Sequence, residues 1–193
     1  MWRYPLISVV LYGWLHMTAE STESASLRHA VLKVSVPPTI DARWDKSPWT
    51  SVEPVSLEHH MGESPRHFPK TRAKVAYDDD ALYVIFRVED QYVRAVTTNY
   101  QGPVYQDSCV EFFFTPGGEV SAGYFNLEMN CGGTALFCFQ KAKGKGVVRI
   151  PATDFDRVRV AHSMPPVVEP ETELFVTRRA TTSPRASSIT PKK

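Results

Sequence analysis

Alternation of apolar and polar side chains with a period of two dominates the middle of the chain. Leu82, Val84, Phe86 and Val88 are separated by Tyr83, Arg87 and Glu89, with only Ile85 out of step. That period belongs to an extended strand with one face buried. It recurs as Val110, Phe112 and Phe114 about Glu111, and as Phe125, Leu127 and Met129 between Tyr124, Asn126, Glu128 and Asn130. After these three core strands come Cys131, Gly132 and Gly133. Glycine reaches the positive backbone angles of a tight turn, so residues 124–139 are predicted to form a hairpin. Weaker patterns predict strands at 29–36, 52–57, 72–77, 157–161 and 174–177. No stretch carries the 3.6-residue apolar period of an amphipathic helix. Short strands at close spacing, joined by Pro, Gly and Asp turns, predict an all-β fold: an antiparallel β-sandwich of two sheets, jelly-roll or immunoglobulin-like. Such sandwiches generally use eight or more strands, and the pattern gives way soon after residue 177. The fold is therefore expected to be incomplete at its C-terminal end, with a sheet edge or inner face uncovered.

Composition refines this picture. At 193 residues the chain suits one domain, and its 15 prolines and 10 glycines fit a fold rich in turns. The formal net charge of +1 supplies no global field for nucleic acid or an anionic membrane. Five of the 22 basic residues and none of the 21 acids lie in residues 178–193, RRATTSPRASSITPKK, so the remainder is net acidic. That basic tail has almost no apolar side chain to bury and is expected to be disordered. At the other end, Arg3 precedes the apolar run LISVVLYGWL at residues 6–15. The run has the length of a signal-peptide core and is too short for a membrane span. A signal peptide over 1–25, a β-domain over 28–177 and export to the cell envelope or outside are the expectations; a buried N-terminal strand is the alternative. The three cysteines, Cys109, Cys131 and Cys138, match no zinc spacing and are too few for a disulfide scaffold. Core thiols are expected, with Cys131–Cys138 or Cys109–Cys138 open as pairings.

Strands that bury their apolar alternates display the others. If the three core strands are neighbours, Tyr83, Arg87, Glu111, Asn126, Glu128 and Asn130 share one polar platform. Carboxylates and amides take paired hydroxyl hydrogen bonds and tyrosine rings lie against sugar faces, so the platform suits a polyhydroxylated ligand. A merely solvated sheet face is the competing reading. Tyr105, in the loop GPVYQDS before the Glu111 strand, is placed either to stack on a ligand or to cover the sandwich end. Glu111 with Asp107 or Glu128 offers the two carboxylates that glycosidase chemistry requires, without any signature spacing. Asp78, Asp79 and Asp80 are calcium candidates by their oxygen donors, and a solvated turn otherwise. His59, His60 and His67 lack a zinc motif, and the Lys- and Gly-rich 141–146 stretch lacks P-loop order and reads as a hairpin connection.

The segments TIDARWD running on to Trp49, YDD leading into the strand that ends at Asp90, VYQDSCVEFFFTP and YFNLEMNCGGT, in this order, resemble the family 9 carbohydrate-binding modules over roughly residues 37–170. The resemblance implies a non-catalytic β-sandwich that binds mono-, oligo- or polysaccharides beside polysaccharide-degrading glycoside hydrolases. It implies no organic cofactor, with calcium bound structurally in some members. Tyr105 takes the position of the family's stacking aromatic and Glu111 that of its hydroxyl-binding glutamate. Asn126 falls near a position where members carry arginine. The family's later strands and second clamp aromatic find no counterpart, so weak binding or none is expected. Tyr105, Glu111, Asn126, Glu128 and Arg87 are the resulting ligand-contact candidates. A glycoside hydrolase fragment and a sandwich that has lost sugar binding, or holds haem, are the rivals.

Overall fold

The computed structural model describes residues 28–169, without Pro116 and Gly118. The expected signal peptide, the strand at 174–177 and the basic tail lie outside the described residues. The described residues from Val31 onward belong to one compact unit.

Eight strands form two four-stranded sheets. The first contains β1 (Leu32–Lys33), β2 (Val55–Leu57), β3 (Lys70–Tyr77) and β4 (Leu82–Glu89). Strand β4 runs antiparallel along the whole of β3, from Lys70↔Glu89 to Tyr77↔Leu82. The other edge of β3 is shared by β1, parallel at Ala76 and Tyr77, and β2, antiparallel at residues 71–73. The second sheet is a meander of β5 (Cys109–Phe114), β6 (Tyr124–Asn130), β7 (Ala135–Gln140) and β8 (Val148–Arg149). Among the described residues helix is confined to one turn, α1 (Ala152–Phe155), and three 3-10 turns. The architecture is the β-sandwich that the alternation predicts. Among the described residues no helix is long and apolar enough to cross a membrane.

The predicted hairpin at 124–139 is β6–β7, and the 141–146 stretch is the β7–β8 connection, closed by the Ala142↔Lys145 bridge. Gly133 has φ +87°, and a side chain there would meet the His162 ring. A side chain on Gly132 would meet the Pro166 carbonyl. Both glycines thus serve two ends: the turn, and the close passage of residues 162–168, whose Val168 bridges Ala95. The expected strand at 157–161 pairs with nothing; that segment instead lines a cavity.

Burial departs from the alternation. Tyr83, expected on a wet face, is 6% exposed in a core with Val34, Trp49, Val52 and Ala76. The cause is the 44–52 loop lying over that face of β3 and β4. Lys74 is buried beneath it, donating from Nζ to the Trp49 carbonyl at 2.6 Å, with Nζ 4.5 Å from the Trp44 ring centre. An ammonium over an indole face and bonded to a carbonyl is tolerated in such a place. Leu82 and Val88, expected in the core, stay exposed at the strand ends. Between the sheets a cavity of about 420 Å³ opens, lined from both sides by Val84, Phe86, Val110, Phe112, Leu127 and Met129 among others. The inner aromatics therefore pack on one another, Phe112, Phe114 and Phe125 stacking in sequence at 5.4 and 5.2 Å.

Replacing Gly133 with alanine forces a side chain into positive φ and against His162, and is expected to cost about 1–3 kcal/mol. Urea unfolding of Gly133→Ala checks this; an unchanged midpoint would remove the glycine from the account.

Candidate functional site

The outward face of the second sheet is read from its register. Glu111 lies opposite Glu128, Phe113 opposite Asn126, and Cys109 opposite Asn130. On the far side of β6, Leu136 faces Glu128 and Cys138 faces Asn126. One sheet face therefore carries Cys109, Glu111, Phe113, Asn126, Glu128, Asn130 and Cys138.

This face is polar yet shielded. Asn126, Glu128 and Asn130 are only 5%, 8% and 1% exposed, less than the apolar residues between them. Their cover is the 95–108 loop, whose 3-10 turn Val104–Gln106 packs on β5 and β6. Val104 is fully buried, while the next residue, Tyr105, is 57% exposed. One peptide thus anchors the turn and displays a phenol ring beside a carboxylate-bearing sheet.

The loop is held by Asp107. Its Oδ2 accepts from the backbone N–H groups of Val96 (3.2 Å) and Thr97 (2.9 Å) and from Asn130 Nδ2 (2.9 Å). Asn130 Nδ2 also donates to the Thr97 carbonyl, and its Oδ1 accepts from Thr134 N–H, tying the loop to the β6–β7 turn. Burial opposes ionisation of Asp107, but the bonds from Asn130, Thr97 and Val96 outweigh it and hold its pKa below the usual aspartate range.

Glu111 behaves in the opposite way. Its tip is exposed, but lost hydration on the sheet side and then the Glu128 charge push its pKa up. Glu128 Oε1 accepts from Asn126 Nδ2 at 2.7 Å. Glu128 Oε2 and Asn126 Oδ1 are buried without any donor. Cys109 is pushed up to about 12 by burial, then by Glu111 and Glu128, and is a neutral thiol.

Of the residues singled out from sequence, the structure brings Glu111, Asn126 and Glu128 together beneath the turn that carries Tyr105. Arg87 and Tyr83 are not among them, which corrects the shared platform. Strand β4 belongs to the other sheet, so the assumed strand adjacency fails. Arg87 is spent on Glu89 and Asp45, at 3.7 and 4.0 Å. Asp78 is likewise occupied: Oδ1 accepts from Asp80 and Ala81 N–H, and Oδ2 from the Tyr83 hydroxyl, while Asp79 pairs with Lys33. Such bonds make a turn and a strand anchor of the Asp78, Asp79 and Asp80 run. His67 pairs with Asp90. The three cysteines are free. Cys109 and Cys138 face positions four residues apart on β6, about 13 Å along a strand, too far for a disulfide.

Phe113, overlooked in the apolar run Phe112-Phe113-Phe114, is 55% exposed and meets Tyr124 at 5.8 Å. Its parity with Glu111 was the available signal.

The sequence pattern of Carbohydrate-binding family 9 matches residues 42–173. A solved structure from Bacteroides uniformis ATCC 8492, described as a carbohydrate-binding protein, superposes with a TM-score of 0.54 at 25% identity, over 64% of this chain. The chain spans 56% of that protein's length. No curated protein matches it.

Because its folded pKa is depressed, Asp107 contributes stability that is present above the unfolded aspartate range and lost as pH falls through the folded value. Asp107→Asn is expected to lower stability at neutral pH by about 1–3 kcal/mol and to flatten the acid limb of a Tm-against-pH profile. An acid limb identical to that of the unsubstituted protein would contradict the assignment.

Proposed function

Since the chain belongs to carbohydrate-binding family 9, we propose that the outer face of β5 and β6 is its saccharide site. The observation that carries this is Tyr105, exposed on a turn pinned by fully buried Val104. A solvent-facing aromatic on an anchored turn offers the flat apolar surface that a pyranose covers. Glu111, exposed at the rim, accepts from the sugar hydroxyls. Asn126 and Glu128 act from beneath, as a hydrogen-bonded floor. Phe113 and Tyr124 extend the aromatic border on the same face.

The binding is non-catalytic. Glycosidase chemistry requires both carboxylates to reach one scissile bond. Glu128 Oε2 has no accessible surface, so Glu111 works without an equally placed partner. The role that follows is retention of a polysaccharide-degrading system on its substrate, in partnership with glycoside hydrolases. The apolar run at residues 6–15 supports a location outside the cytoplasm, in the envelope or secreted.

The test is calorimetric titration with a panel of mono- and oligosaccharides. Tyr105→Ala and Glu111→Ala are each expected to weaken binding by about tenfold or more, roughly 1.4 kcal/mol. Arg87→Ala should leave affinity unchanged. Equal affinities for all the variants would place the sugar elsewhere on the sandwich, and turnover of a chromogenic glycoside lost in Glu111→Gln would replace binding with catalysis.

A further inference from the structure

We propose that Cys109, Glu111 and Glu128 form a site for a thiophilic divalent cation, zinc by the character of the donors, set into the same sheet face. One atom of each, the Cys109 Sγ and a carboxylate oxygen of either glutamate, lies within 4.8 Å of the other two. Among the described residues this is the one group of three such donors that converges so closely. The backbone fixes the arrangement: Cys109 and Glu111 are alternate residues of β5, and Glu128 stands directly across from Glu111.

The second observation is the state of Glu128. Like charges directly opposite on neighbouring strands are unfavourable, the more so where water is excluded. Glu128 is 8% exposed, and its Oε2 has neither a donor nor solvent. Buried acceptors of this kind are uncommon in folded proteins and call for a specific account. A cation coordinated by the Glu128 carboxylate would supply the partner that it lacks.

The donor types choose among ions. Calcium and magnesium take oxygen ligands, whereas sulfur with carboxylate oxygen suits zinc. Tetrahedral zinc, with sulfur at about 2.3 Å and oxygen at about 2.0–2.2 Å, holds its ligand atoms about 3.5 Å apart. Closing from within 4.8 Å to that spacing takes about 1 Å, supplied by a rotamer change of the exposed Glu111 and smaller side-chain adjustments of Cys109 and Glu128. Binding displaces the thiol proton to solvent as the sulfur–metal bond forms. Asn126, through its bond to Glu128 Oε1, keeps that carboxylate oriented. Three protein ligands leave a fourth position for water or a hydroxyl.

The site shares Glu111 and Glu128 with the proposed saccharide face, and the two readings are told apart through Cys109, which takes no part in sugar binding, and Tyr105, which takes none in metal binding. The chelator-treated, reduced chain is titrated with Zn²⁺ by calorimetry and with Co²⁺ by absorption, where thiolate-to-cobalt charge transfer reports sulfur in the coordination sphere. A single equivalent of zinc and a charge-transfer band are expected, both retained in C131S and in Tyr105→Ala. C109S and E128Q should bind at least about tenfold more weakly, with far-UV circular dichroism confirming their fold. Should C109S fail to fold, E128Q and the cobalt band of the unsubstituted chain decide the matter. Absence of stoichiometric zinc binding, loss of the band in C131S rather than C109S, or displacement of zinc by equimolar calcium would each overturn the proposal.

Discussion

Asp107 has no solvent-exposed side-chain surface, and its Oδ2 gathers two backbone N–H groups of the 95–108 loop and the Asn130 amide of β6. A buried carboxylate is costly unless its charge is met by donors. Here three donors meet it, two from the loop and one from β6. Because the loop is fastened there, Val104 is pressed onto the sheet, Tyr105 is turned outward, and the polar side chains of β6 lose their water.

The same device operates in the other sheet with different chemistry. There the 44–52 loop lies over β3 and β4, and Lys74 fastens it through the Trp49 carbonyl and the Trp44 ring. Both sheets are thus closed from outside by a loop held by a buried charged residue. Between the sheets, by contrast, contact is loose: the inner aromatics are only half-buried and an open cavity remains. The structure is better sealed on its outer faces than in its middle, the reverse of the usual economy of a sandwich.

Electrostatics at the outer face follow from this sealing. Glu111 and Glu128 are unremarkable as a sequence pair, but burial first, and then the carboxylate across the strand, push the Glu111 pKa up, and burial followed by both carboxylates does the same for Cys109. Tension of this kind is relieved by hydroxyl donors at the rim or by a cation at the floor.

Period-two alternation by itself determined the strands β4, β5 and β6, the hairpin into β7 and the sandwich class, because backbone pleating forces side chains to alternate whatever lies above them. The segments around DSCVEFFF and YFNLEMNCGGT likewise carried the family. What alternation cannot encode is which strands are neighbours and what covers each face. Hence Arg87, rightly placed on its own strand, proved to be in the other sheet. Tyr83 and Asn126, polar by pattern, proved to be buried. Those outcomes depend on contacts between residues far apart in sequence, Asp107 with Asn130 and Lys74 with Trp49, and only the folded chain brings such partners within hydrogen-bonding distance.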